Sequence, residues 1–188
     1  AILSPLGLYL CWMNVSARVA FWRGLIFGMG LFLCGISWVY VSIQTYGGAS
    51  MIVSVGATIL LAFGMALHTG ISGYLQNKLF PKHTLHRMIL VFPITWVFSE
   101  WLRSVSPILF GGFPWLNLGY SQINTPLAGI APILGVYGVT WLCALSASLI
   151  LTLIWISSWR RWLVLLCLLI LWAGSATLRT IILDDCSK

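Results

Sequence analysis

The chain has 188 residues, of which 60% are hydrophobic and 7% are charged, and its mean hydropathy is +1.00. Soluble domains carry about 25% charged residues, so this composition excludes a protein whose whole surface faces water. The net charge of +7 would suit a nucleic-acid partner only if the basic residues formed one patch.

Six apolar segments follow one another along the chain, and several approach the roughly 20 residues that cross a bilayer as a helix. They lack the alternation of polar and apolar residues found in strands of membrane barrels. The predicted fold class is therefore an all-α polytopic membrane protein with about six transmembrane helices, at residues 1–13, 20–42, 51–74, 88–103, 127–156 and 162–176. The first segment is short for a span, and we expect it to be a helix that lacks its front end.

Basic residues concentrate in alternate connections between these segments. In the other stretches, three basic residues are balanced by the three acidic ones. This is the positive-inside pattern. It predicts that the basic connections are cytoplasmic, that both chain ends lie outside, and that there is no nucleic-acid partner. The basic connections hold Arg18, Arg23, Lys78, Lys82, Arg87, Arg160 and Arg161.

Several residue types inside or beside the segments suit structural roles. Four cysteines lie in apolar runs without metal-binding or disulfide spacing, so neither a metal nor a cofactor is expected. Pro132 and Gly135 predict a bend in the fifth segment. His68 is either a proton relay or, as we expect, a residue that hydrogen-bonds a neighbouring helix. The predicted interface anchors are Trp38, Tyr40, Trp159 and Trp162.

Glu100 is an acidic residue inside a predicted span. It follows Arg87 by 13 residues, or about 20 Å of helix, so it lies short of the outer boundary of a core about 30 Å thick. Intramembrane carboxylates are costly and indicate functional sites. Arg103, one turn further, is its expected partner and is expected to extend toward the interface. Two interpretations stay open: the pair shapes a substrate entrance, or it is a structural ion pair.

The segment after this pair cannot continue as a regular helix, because Pro107, Gly111, Gly112 and Pro114 interrupt it. Residues 104–125 are therefore predicted to form an exposed interfacial arm, with Phe110 and Phe113 among its aromatic residues. We expect its polar and aromatic side chains to face a lipid headgroup, and the alternative is plain aromatic anchoring. The candidate lipid-facing residues, with the pair before them, are Glu100, Arg103, Trp115, Asn117, Tyr120 and Gln122.

These residues belong to motifs that resemble a known family. EWLR at residues 100–103, GGFPWLNLGYSQ at 111–122 and PLAGIAPILGVYGVTWL at 126–142 resemble the membrane domain of the bacterial apolipoprotein N-acyltransferases. GISWVYVSIQTYGG at 35–48 is similar to the loop after that family's third transmembrane helix. The motifs keep the family's order, and the resemblance covers nearly the whole chain. It implies that the six segments correspond to the family's second to seventh helices.

The resemblance also implies a function. Enzymes of this family lie in the bacterial inner membrane and transfer an acyl chain from a phospholipid to the N-terminal diacylglyceryl-cysteine of an apolipoprotein, the last step of lipoprotein maturation. Their Glu-Lys-Cys triad belongs to a periplasmic nitrilase-like domain that follows the seventh helix. No catalytic residue of that triad maps onto this chain, and Cys186 stands beside two aspartates, which disfavour a thiolate.

The expected organisation is a partial transmembrane domain over residues 1–176, which contains the arm, and the start of a linker over residues 177–188, with a periplasmic C-terminus. This fragment is expected to be inactive alone and to serve membrane anchoring and access for phospholipid and apolipoprotein. The alternative is a small transporter or channel, which would place several polar groups at mid-membrane. His68 and Glu100 are the main candidates for such groups.

Overall fold

The computed structural model describes residues 2–82, 84–105, 112–156 and 159–186, with the backbone alone for residues 182–186. In these ranges the regular elements are helices, and none is a strand. The α-helices are α1 (Leu3–Trp12), α2 (Ala17–Gly35), α3 (Trp38–Val41), α4 (Met51–Leu79), α5 (Phe92–Val105), α6 (Ala131–Trp155) and α7 (Arg160–Cys186). π-Helical turns lie at Ser42–Tyr46 and Arg87–Val91, and 3-10 turns lie at Leu118–Gln122 and Pro126–Ile130.

Most of these helices have the length and composition of membrane spans. α1 is apolar but has only 10 residues. The predicted fold class, an all-α polytopic membrane protein, is confirmed. Among the described residues, the stretches long and apolar enough to cross a bilayer are Ala17–Gly35, Met51–Leu79, Arg87–Val105, Pro126–Trp155 and Arg160–Ile181.

Two helices run further than their hydropathy predicts. α4 continues from residue 74 to Leu79, and α7 continues from residue 176 to Cys186. At the end of α4 the polar side chain of Asn77 is buried, and its Nδ2 donates to the carbonyl oxygens of Trp12 at 2.9 Å and Val15 at 3.0 Å. Residues 177–186, predicted to begin a linker, are therefore helical. A fall in hydropathy along the chain indicates that the side chains no longer face lipid. The helix itself continues as long as its backbone N–H and C=O groups remain hydrogen-bonded to each other.

The chain divides into two compact units, one of which comprises Cys11–Pro81 and Ser99–Leu116. Its centre is the packing of α2 against α4, which run antiparallel because Gly24 lies against Thr69 while Gly28 lies against Ala66. Ser16 and Ser50 cap the N-termini of α2 and α4 by accepting from backbone N–H groups three residues ahead. The buried apolar side chains of this unit are Leu25, Phe32, Ile36, Ala62, Met65 and Ala66.

The second unit comprises Ala1–Leu10, Lys82–Phe98 and Asn117–Lys188. Its core surrounds α6, whose side chains pack against α7 and the two 3-10 turns. Trp172 of α7 donates from Nε1 to Ser146 Oγ of α6 at 3.2 Å. α6 bends at Gly135, where φ is +65°, a value that L-residues rarely adopt. The predicted bend is confirmed.

Candidate substrate-facing site

Glu100 and Arg103 of α5 are both buried, each with 4% of its surface exposed. The guanidinium carbon of Arg103 lies 5.0 Å from the centre of the Phe32 ring, and its Nη2 donates to the carbonyl oxygen of Trp115 at 3.2 Å. The expectation that Arg103 extends toward the interface is therefore wrong. An aromatic face and a carbonyl oxygen favour the cation inside the protein, so the side chain stays in its own unit.

Trp115 is held by a hydrogen bond from its indole nitrogen and is nevertheless exposed. Its Nε1 donates to the carbonyl oxygen of Gly35 at 3.0 Å, while 42% of the residue remains exposed. Its ring meets Trp38 edge-on at 5.5 Å between centroids and stacks on Phe113 at 5.8 Å. We call these three residues, Trp38, Phe113 and Trp115, the aromatic ledge.

The backbone beside the ledge adopts an unusual conformation. Leu116 has φ of +58°, in the left-handed region that a leucine rarely occupies. Its side chain packs so closely on Gly35 that any Cβ there would overlap Leu116. Non-glycine residues with such backbone angles occur preferentially at functional sites, where the surrounding contacts enforce them.

The structure treats the four predicted arm residues differently. Trp115 and Tyr120 are 42% and 55% exposed, whereas Asn117 and Gln122 are 2% and 4% exposed. Gln122 Oε1 accepts from Thr125 Oγ1 at 3.1 Å, and its Nε2 donates to Ser121 Oγ at 2.9 Å. The prediction of an exposed arm is wrong for Asn117 and Gln122, because both side chains are buried.

Part of the predicted arm lies outside the described residues. Pro107, Phe110 and Gly111 fall in the range 106–111, which the structure does not describe. At the edge of that range, the backbone N–H of Gly112 donates to the carbonyl oxygen of Arg103 at 2.8 Å. The description of the arm therefore begins at Gly112, next to the end of α5.

The other singled-out side chains lie as follows. Trp38, Trp159 and Trp162 are 45%, 68% and 75% exposed, and Tyr40 is partly exposed, so their role as interface anchors stays a prediction. His68 is buried, and its Nδ1 lies 3.1 Å from the carbonyl oxygen of Gly64. This bond lies within α4 and not between helices, since the carbonyl four residues earlier is within reach of the ring. Within the described ranges, no three His, Cys, Asp or Glu residues form a group that could hold a metal ion.

Sequence reasoning missed the residues that hold the ledge in place. Phe32 and Gly35 belong to the last turn of α2 and bind Arg103 and Trp115 respectively. Gly35 is the first residue of the motif GISWVYVSIQTYGG and Trp115 belongs to GGFPWLNLGYSQ, so two of the motifs that carry the family resemblance meet here. The presence of both motifs in one chain was the signal that could have indicated this contact. The spacing of residues within each motif does not reveal which residues of the two motifs touch.

Comparison with known proteins identifies the family. Residues 1–149 match the family model described as the apolipoprotein N-acyltransferase N-terminal domain. Apolipoprotein N-acyltransferases of Methylococcus capsulatus, Coxiella burnetii and Vibrio parahaemolyticus are 44%, 42% and 38% identical to this chain over 81%, 91% and 95% of its length. The aligned parts cover 30%, 35% and 34% of those proteins, so the chain spans about a third of their length. The chain belongs to the apolipoprotein N-acyltransferase family, whose N-terminal membrane region it represents.

Proposed function

We propose that this chain acts as the membrane domain of an enzyme that transfers an acyl chain from a phospholipid to the N-terminal diacylglyceryl-cysteine of an apolipoprotein. Membership of the family supports the activity, and the match to its N-terminal domain supports the role of this region. We assign it anchoring and substrate access, and we assign no catalytic residue within it. Family membership decides against the transporter alternative.

The proposed location is the bacterial inner membrane, with the chain's C-terminus on the periplasmic side. The distribution of basic residues supports this orientation, because the aromatic ledge follows the C-terminal ends of α2 and α5, which are opposite to the basic connections. The ledge would then lie on the outer side, where a lipid-anchored substrate arrives. The 104–125 segment is the part of the domain that we propose contacts it.

The exposed but anchored ring of Trp115 is the observation that carries the proposed site. An exposed tryptophan that is free to rotate loses conformational entropy when it binds a ligand. Trp115 has already lost that freedom through its bond to Gly35 and its contacts with Trp38 and Phe113. We propose that this face of the ring packs against the acyl or glyceryl part of a lipid substrate, and that Arg103 positions it through the Trp115 carbonyl.

The test compares tryptophan variants of the full-length protein in proteoliposomes. Trp115→Ala should lower acyl transfer per inserted molecule about fivefold to tenfold, or about 1–1.4 kcal/mol, which is the magnitude of an aromatic contact. Trp115→Phe keeps an apolar ring without the Nε1 donor and should show a smaller loss. Trp162→Ala, which removes a more exposed tryptophan elsewhere, should leave specific activity unchanged.

Equal losses of acyl transfer per inserted molecule in Trp115→Ala and Trp162→Ala would show that both residues act only as membrane anchors. Unchanged specific activity in Trp115→Ala would remove the ledge from the proposed substrate path. If the total activity of Trp115→Ala fell only in proportion to the amount of membrane-inserted protein, the proposal would also be contradicted. The variant would then have lost its fold and not a substrate contact.

A further inference from the structure

α2 and α4 touch through their backbones. A Cβ atom on Gly24 would lie 2.8 Å from the carbonyl oxygen of Thr69, and one on Gly28 would lie 2.9 Å from the Cα atom of Ala66. Where helices approach this closely through small residues, large side chains cannot enter the seam and must stand on its flanks. The bulky residues near Gly24 and Gly70, among them Trp22 and Ile71, therefore lie on one side of the helix pair and not between the helices.

A groove of about 340 Å³ lies on that flank, lined by Arg18, Phe21, Trp22, Ile71 and Tyr74. Its volume falls in the range of about 300–1,000 Å³ that is typical of small-molecule sites. All the lining side chains except Arg18 are apolar or aromatic, and Trp22 is 60% exposed. In a helix pair that crosses a bilayer, a groove of this composition faces acyl chains.

One end of the groove is positively charged. Arg18 precedes Phe21 and Trp22 by one turn of α2, and the Nζ of Lys78 lies 5.4 Å from the centre of the Tyr74 ring. Because α2 and α4 are antiparallel, the start of one helix and the end of the other meet at this end. No acidic residue occurs between positions 11 and 81, so this stretch of the chain supplies no carboxylate to neutralise the two cations.

We propose that this groove binds one anionic phospholipid, with an acyl chain along Phe21, Trp22 and Tyr74 and the phosphate between Arg18 and Lys78. Basic pockets between transmembrane helices on the cytoplasmic side are known to suit anionic headgroups. A zwitterionic lipid carries the same phosphate, but its ammonium group opposes the two cations. If the basic connections are cytoplasmic, as proposed above, this lipid belongs to the leaflet opposite the ledge. It is therefore a bound companion of the membrane domain and not its acyl donor.

The site can be tested by native mass spectrometry of the full-length protein, titrated with dioleoylphosphatidylglycerol, dioleoylphosphatidylethanolamine or glycerol 3-phosphate. We expect one tightly bound phosphatidylglycerol, weaker phosphatidylethanolamine and no retained glycerol 3-phosphate. Arg18→Gln should raise the dissociation constant for phosphatidylglycerol about fivefold, the ratio expected for one basic residue at a membrane surface. Ile71→Trp should fill the groove and lower binding of both lipids.

The matched control is Arg160→Gln, which removes an exposed basic residue from another connection and should leave the dissociation constant unchanged. An equal loss in the Arg18 and Arg160 variants would overturn the proposal in favour of general attraction between lipid and charge. Equal affinity for the two lipids in the unaltered protein, or retention of glycerol 3-phosphate alone, would also overturn it. Arg18→Gln and Arg160→Gln do not alter the glycines of the helix seam. An unchanged melting temperature of each variant without lipid verifies that it folds.

Discussion

Arg103 connects three parts of one unit, two of them through its side chain and one through its backbone. Its cation lies over Phe32 of α2, its Nη2 binds the carbonyl oxygen of Trp115, and its own backbone carbonyl accepts from Gly112. Glu100 is one turn earlier on the same helix and equally buried. Buried charges are retained where opposite charges or dipoles compensate them, so removing either residue changes the environment of the other.

We therefore predict that Glu100 and Arg103 are energetically coupled. Glu100→Gln and Arg103→Gln should each lower the free energy of unfolding, because each leaves a buried charge with less compensation, at a cost of up to about 3–5 kcal/mol. The double variant should be less destabilised than the sum of the two by about 0.5–3 kcal/mol. Thermal unfolding of the four proteins in one detergent measures this coupling.

Strict additivity would show that the two charges do not interact and would refute the pairing. The same set of proteins separates the two interpretations of the pair. A structural pair lowers stability and leaves activity per folded molecule intact. A pair that shapes the substrate entrance lowers activity per folded molecule as well.

The seam between α2 and α4 depends on residues that have no side chain. Burial of apolar surface contributes little between helices that are already in lipid, so close van der Waals contact must hold them together. Gly24, Gly28, Gly70 and Gly73 permit that contact, and each has backbone or ring atoms of its partner within about 3 Å of where a Cβ would stand. The fit of the two helices is therefore sensitive to one methyl group.

We predict that Gly24→Ala destabilises the protein by about 1–3 kcal/mol, because the added methyl group meets the Thr69 backbone, which cannot move aside. Gly30 lies on the same helix, and a Cβ there would meet nothing within 4 Å. Gly30→Ala should therefore not destabilise the protein and should stabilise it by up to about 1 kcal/mol, because alanine favours the helix more than glycine does. The measurement is the unfolding midpoint of each variant in detergent, and similar shifts for both would contradict close packing at the seam.

The chain as a whole should cross the membrane with alternate connections on opposite sides. Reporter fusions near Lys82 and Arg160 should be cytoplasmic, because these connections hold basic residues and no acid. Fusions near Gly48, Gly112 and Asp185 should be periplasmic. A cytoplasmic signal at Gly112 would reverse the proposed orientation of the ledge and would place it away from an incoming lipoprotein.

Hydropathy and residue type were sufficient to predict where the long apolar helices lie and the bend at Gly135, because both depend on local composition, but they did not predict where α4 and α7 end. They could not predict that Asn117 and Gln122 are buried, since a polar residue near a span end can face either headgroups or protein. The groove was equally hidden, although the glycines of α2 and α4 were visible in the sequence. Tertiary packing decides which helices those glycines bring together. The periodicity of residues along one segment gives no information about its partner helix.

The 27 residues of α7 form one continuous helix of about 40 Å, which exceeds a hydrocarbon core of about 30 Å. Its last turns are thus a rigid extension of the part inside the bilayer. In this region Arg179 donates from Nη1 to the carbonyl oxygen of Thr125 at 3.0 Å, and Gly129 lies against the carbonyl oxygen of Ser175. If the part of α7 inside the lipid tilted, the far end of this continuous helix would be displaced sideways, and its contacts with Thr125 and Gly129 would couple that displacement to the turn that leads into α6.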